Sequence, residues 1–168
     1  MHKRTLIIIV GAVVTLIDWY LFRPALLVIS RSVNEALPGA VAQHQTTAAR
    51  PAPVVLAQGA FHPVSHDTRG HATIYQLPDG KRVVRFSDFA TSNGPDVQVY
   101  LVATHDATDN DTVTQAGFIR LGALKGNLGD QNYDLPADVD LNTYRAVTIW
   151  CRRFGVNFGT APLTQQQS

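Results

Sequence analysis

Downstream of Leu56 no stretch of the chain carries an amphipathic helical period long enough for three turns. A surface helix of that length needs apolar residues recurring at i, i+3, i+4 and i+7. The chain offers short apolar runs instead, parted by Gly, Pro, Asn, Asp and Ser. Gly59-Ala60-Phe61 opens a first strand, and His71–Leu77 alternates. Pro78-Asp79-Gly80-Lys81 is a strong turn signal, and Arg82–Phe86 follows as a strand, so the pair reads as a β-hairpin. Val97–Ala103 alternates most clearly: Val97, Val99, Leu101 and Ala103 share a face, with Gln98, Tyr100 and Val102 opposite. Phe118–Leu121 is a short strand. Residues 87–96, 104–115 and 124–136 read as polar loops, and Asp138–Tyr144 as a helical turn capped by Asp138 or Asp140. The pattern predicts an all-β domain, a β-sandwich or jelly-roll-like fold, over residues 57–163, with 164–168 a polar tail. A ferredoxin-like α/β fold lacks the helices it needs.

The last predicted strand, Arg145–Gly159, holds the only cysteine, Cys151. Val147, Ile149 and Cys151 share one parity. Phe154, Val156 and Phe158 read as core residues in the opposite phase. A β-bulge or kink at Arg152-Arg153 would reconcile the two. If such a bulge exposed the thiol, two adjacent guanidinium groups would favour the thiolate. The structural reading of the same residue is a buried small hydrophobe.

Ahead of the domain lie two segments of different texture. Met1–Arg4 is short and basic, and Thr5–Phe22 is almost wholly apolar. As a helix that run would rise about 27 Å, close to the hydrocarbon thickness of a bilayer. Residues 1–29 are therefore expected to be a signal-anchor, a single transmembrane helix with Lys3 and Arg4 cytoplasmic and Trp19 and Tyr20 at the outer interface. A cleaved signal peptide is the competing reading, but its best cleavage pattern, Ala40-Val41-Ala42, lies far downstream. Residues 30–56, with Pro51 and Pro53, are expected to form a flexible, extended stalk, with a turn or two of helix at Ser32–Leu37. The domain is thus placed at the cell membrane, outside the cytoplasm.

The formal charge of +1 over 168 residues argues against nucleic acid as a partner. One cysteine excludes an intrachain disulfide, a multi-cysteine zinc or iron–sulfur site and covalent c-type haem attachment. No hydrolase or P-loop pattern is present, and no complete catalytic set is visible.

Several motifs in order resemble a known family. They are Gly59-x-Phe61, Gly70-x-Ala72, Asp88-Phe89, Asn93-Gly94-Pro95-Asp96-Val97 and Val99-Tyr100-Leu101. Leu121-Gly122-x-Leu124-Lys125-Gly126-Asn127, Gly129-Asp130-Gln131-Asn132-Tyr133 and Val147-x-Ile149-Trp150-Cys151-x-x-Phe154 complete the set. Over residues 57–163 the chain resembles the Skeletor-type DM-thirteen domain, a proposed electron-transfer module. The resemblance implies a β-rich extracytoplasmic domain with a redox role centred on the single cysteine. That cysteine would act as a thiol or as a ligand to a prosthetic group, haem being the candidate. A redox or cell-surface protein partner is implied with it.

The candidate residues follow. Cys151 is the candidate redox thiol, able to form a sulfenic acid, a mixed disulfide or an axial haem thiolate. Asp96, Lys125, Asn132, Tyr133 and Trp150 are candidate ligand-binding residues; the glycines beside them serve backbone geometry. His62, His66 and His71 match no standard metal spacing, and His66 and His71 would join Cys151 only in a loose metal or haem site. Asp106, Asp109 and Asp111 lack the glycine and glutamate of a calcium loop. The second functional class is a non-catalytic binding module for a wall, matrix or protein partner, motivated by Tyr75 and Trp150 as exposed aromatics.

Overall fold

The strands expected at His71–Leu77, Arg82–Phe86, Val97–Ala103 and Phe118–Leu121 are present, and the first strand ends rather than opens at Gly59-Ala60. The computed structural model, which describes residues 2–22, 29–39 and 51–166, pairs the strands into two antiparallel sheets. One sheet contains β1 (Val54–Ala60), β3 (Arg69–Gln76), β4 (Arg82–Ala90), β7 (Gln131–Leu135) and β10 (Thr164–Gln165), in the order β10-β1-β3-β4-β7. The other contains β2 (His62–Pro63), β5 (Val97–Val102), β6 (Phe118–Ala123), β8 (Ala146–Cys151) and β9 (Val156–Pro162), in the order β2-β9-β8-β5-β6. The β3–β4 hairpin pairs Gln76 with Arg82 across the Pro78–Lys81 turn, as its turn residues predict. The expected β-sandwich is therefore present.

The core lies between the sheets. Ala72, Ile74, Val84 and Phe86 face it from the first sheet, and Val99, Leu101, Val147 and Ile149 from the second. Each of these side chains larger than alanine contributes about 1.5–3 kcal/mol on burial. Phe61, Phe86 and Phe89 form a ring cluster with centroids 4.9–5.1 Å apart.

The central strands of the second sheet are buried on both faces. All six residues of β5 and all six of β8 are buried. Alternation puts Tyr100, Val102, Ala146 and Trp150 on the outer face, where they pack with Ala107 and Val113. The cover is residues 103–117, expected as a plain loop but containing helix α2 (Asn110–Ala116). Asp109 caps α2 by accepting a bond from the Thr112 backbone N–H at 2.7 Å. The cover is tied down by a buried polar cluster. Asn157 Nδ2 and Thr160 Oγ1 both donate to the Ala107 carbonyl, at 2.8 and 3.0 Å. Thr148 and Thr160 share a hydroxyl–hydroxyl bond at 3.1 Å, and Asn110 Oδ1 accepts from the Asn157 backbone N–H at 2.7 Å.

Two expectations are corrected, and a third gains no support. First, Arg145–Gly159 is not one bulged strand. The chain reverses at Arg152–Gly155, with Gly155 N–H donating to the Cys151 carbonyl at 2.9 Å, so β8 and β9 form a hairpin. Reversal accounts for the change of phase, and Phe154 sits at the turn tip, 62 % exposed, instead of facing the core. The pair does carry an irregularity, but between Ile149 and Trp150, opposite Asn157–Gly159.

Second, the stretch read as a free stalk is seated on the domain over part of its length. Residues 29–39 lie extended against loop 124–132, and Ser32 makes a parallel bridge with Leu128 where a helical turn was expected. Residues 40–50 lie outside the described residues.

Third, helix α1 (His2–Phe22) is present, yet among the described residues no helix is long and apolar enough to cross a membrane. The transmembrane helix expected from the sequence is not carried by the structure.

Candidate functional site

The candidate residues fall into two groups on different parts of the sandwich. The first surrounds the end of β8. Cys151 is 1 % exposed and belongs to the core between the sheets, paired in register with Val97 on β5 and Val156 on β9. The two arginines after it do not deliver an open thiol. Arg152 turns to the outer surface, where its Nε lies 2.8 Å from Asp96 Oδ2 and its backbone N–H donates to the Asp96 carbonyl at 2.9 Å.

Trp150, the next residue back, points to the opposite side of the sheet. It is 6 % exposed, so the surface aromatic expected from the sequence is a buried one. Its ring stacks with Tyr100 at 6.3 Å between centroids, and Tyr100 stacks in turn on Phe118 at 4.2 Å and 5°. Phe118, 44 % exposed, brings this column to the surface. A polar chain borders it: Gln98 Nε2 donates to Asp96 Oδ1 at 2.6 Å, and Arg120 Nε donates to Gln98 Oε1 at 2.8 Å. Burial raises the Tyr100 phenol above its ordinary range, with Asp96 adding to the effect and Arg120 and Arg152 opposing it. Tyr100 therefore stays protonated near neutrality. Sequence reading missed it as a site residue; the signal was an aromatic on the outer parity of β5, facing an exposed Phe118 on β6.

The second group is built on β7 and the glycine-rich loop before it. Lys125 Nζ donates to the Asn132 carbonyl at 2.7 Å and lies 5.3 Å from the centre of the Tyr133 ring. Tyr133 OH donates to Gln131 Oε1 at 2.7 Å and accepts from the Lys125 backbone N–H at 3.2 Å. Burial pushes the Tyr133 phenol well above its usual range, so it is a structural hydroxyl at physiological pH. Glu35, which the sequence left in a stalk, completes the group. Its carboxylate accepts from Lys125 Nζ at 2.8 and 2.9 Å and from the Asn132 backbone N–H at 2.7 Å. The structure thus joins Lys125, Asn132 and Tyr133, and sets Asp96, Trp150 and Cys151 apart from them.

The histidines do not assemble. His71 is exposed, His66 packs its ring on Phe158 at 3.8 Å, and His62 Nε2 bonds Asp106 Oδ1 at 2.9 Å. Among the described residues no group of three metal-binding side chains occurs. Asp106 and Asp109 are used by His62 and by the α2 cap. Surface clefts of about 270, 340 and 510 Å³ have neither cysteine nor histidine in their walls. A haem held by Cys151 needs the sulfur at a cavity wall, and in this fold the sulfur is packed in the core. The placement of these residues does not fit that group.

No curated protein and no solved structure matches the chain. A family model described as electron transfer DM13 matches residues 60–163, from the end of β1 to Leu163. Its span takes in both groups and nearly the whole sandwich but stops short of Glu35. The match covers more than half of the chain, and the chain belongs to the electron transfer DM13 family.

Proposed function

We propose that the domain relays single electrons, with the stacked Trp150 and Tyr100 as the redox-competent pair and Cys151 as a packing neighbour. The observation that carries this reading is the stack itself: two oxidisable rings, 6.3 Å apart, in a water-poor layer, continued to the surface by Phe118. Tunnelling falls off steeply with distance, so contact between rings favours transfer. A sealed thiol is poorly suited to disulfide exchange, which requires direct attack by another sulfur. In the relay, Trp150 gives one electron to an oxidising partner protein, Tyr100 gives one electron to the indole, and the phenolic proton passes to bulk water as Tyr100 is oxidised to a neutral radical. A one-electron donor then restores Tyr100.

The domain is further proposed to sit at the cell membrane, outside the cytoplasm, tethered by residues 5–22. The sequence of that run supports this, as do the exposed apolar side chains of Ile7, Ile8, Val13 and Val14 on α1. Resistance of the full chain to extraction from membranes at alkaline pH tests the tether, and release into the soluble fraction would sink it. Flash oxidation of the full chain in a Trp19→Phe background tests the relay. An indole radical passing to a tyrosyl radical is expected, and Trp150→Phe should remove the first signal. Equal signals in both chains would overturn the reading.

A further inference from the structure

Six polar contacts hold the main chain of residues 31–36 against the domain. Arg31 N–H donates to Asn127 Oδ1 at 2.7 Å, and Leu128 N–H donates to the Arg31 carbonyl at 3.2 Å. Val33 N–H and Glu35 N–H donate to the Leu128 and Asp130 carbonyls, each at 2.9 Å. Arg85 Nη1 donates to the Glu35 carbonyl and Asn132 Nδ2 to the Ala36 carbonyl, both at 2.8 Å. Val33, Glu35 and Leu37 are half-buried while Ser32, Asn34 and Ala36 are exposed, the period of a strand laid on a receptor.

The receptor is shaped for that backbone. A Cβ on Gly126 would lie 2.5 Å from the Arg31 carbonyl oxygen, and one on Gly129 would overlap the Val33 carbonyl. Gly129 also holds φ +90°, which other residues rarely adopt. The carboxylate of Glu35 is met by an ammonium and a backbone amide together. All the receptor residues lie within the family-matched span, whereas the seated strand precedes it.

We infer that the groove formed by Lys125–Asn132 and Arg85 is an exchangeable site for an extended acidic peptide, occupied at rest by this chain's own Arg31–Ala36. Main-chain bonds supply affinity in this mode and alternate side chains supply selectivity. The ligand class follows from the contacts: an extended segment with a small branched residue and, two positions on, a carboxylate. Because the resident strand is tethered, its effective concentration is on the order of millimolar, and an incoming peptide must compete with it. This inference stands independently of the electron relay.

The test uses the full chain in detergent and a fluorescent synthetic peptide of residues 29–39. A chain carrying Val33→Asp and Glu35→Arg, which empties the groove without touching its walls, should bind the peptide at least tenfold more tightly than the unmodified chain. A peptide with Glu35→Gln should lose at least tenfold in affinity for that emptied chain. Adding Gly129→Val to the emptied chain should abolish binding while the far-ultraviolet circular dichroism stays that of a β protein. Equal binding by emptied and unmodified chains, or indifference to Glu35→Gln, would overturn the assignment.

Discussion

Trp150 and Cys151 are consecutive residues of β8 that face opposite sides of one sheet, the indole toward Tyr100 and the thiol into the core between the sheets. Strand alternation makes that separation unavoidable. It divides the two redox candidates by their access to the surface: the indole connects outward through stacked rings, while the thiol is sealed in the core between the sheets.

The thiol should therefore be silent in the folded chain. Labelling of Cys151 by a maleimide is expected to follow the opening rate of the domain and to become fast in denaturant. Cys151→Ala should cost about 1–2 kcal/mol through the lost packing. Cys151→Ser should cost more, because a hydroxyl would be buried without a designed partner. Urea titrations of the three chains check the order, and a neutral Cys151→Ser would show that the site is open to water.

Asn157 and Thr160 both serve the Ala107 carbonyl, so their deletions should not add. Asn157→Ala is expected to destabilise by about 1–3 kcal/mol, since the Ala107 carbonyl and Thr160 Oγ1 each lose the Asn157 amide as a donor inside a dry layer, while the backbone bond to Asn110 remains. A double-mutant cycle with Thr160→Val should give a coupling of about 1 kcal/mol. Additive losses would mean that the cover is not held by this cluster.

His62 should titrate above its ordinary 6.5. Burial works against the imidazolium, but the hydrogen bond and charge of Asp106, with the Pro63 carbonyl, outweigh it. A raised folded value means that the His62–Asp106 tie contributes fully below pH 6.5 and is lost as the pH rises through the folded pKa. The histidine titration read by NMR checks this, and Asp106→Asn should move the midpoint down. An unmoved midpoint would remove Asp106 as the cause.

Acid should loosen the seated strand. Burial raises the Glu35 carboxyl, while the bonds from Lys125 and Asn132, with the Lys125 charge, lower it further, leaving it below 4.5. Its contribution is therefore present above pH 4.5 and lost as the pH falls through the lower seated value. Protection factors of the Val33 and Glu35 amides, followed from pH 6 to about pH 3, should fall before those of β5 and β8. Simultaneous loss would mean that Glu35 holds nothing separately.

Much of the sandwich was legible because one period governs a strand that is buried on one face. Val97–Ala103 and the Pro78–Lys81 hairpin needed no tertiary information. Gln131–Leu135 hid as a loop because its inward residues include Gln131 and Tyr133, whose polar atoms find partners only in the folded sheet. Helix α2 hid because a seven-residue helix covering one apolar layer shows only Val113 as a buried residue. The β8–β9 reversal was misread as a kink because Phe154 looks like a core residue by type, and only the turn shows it at the tip. Candidate residues named from motif order, Lys125, Asn132 and Tyr133, meet in space, but Glu35 could not be added from sequence. It arrives from ninety positions away.

The seating of residues 31–36 also sets a leash length. Were the chain loose from Phe22 to Val54, covalent geometry would let the sandwich stray by about 110 Å from the end of α1. With Arg31 pinned, only residues 23–30 are left to span the gap, and the reach drops to about 30 Å. Emptying the groove would widen the reach of the sandwich from the end of α1 several-fold.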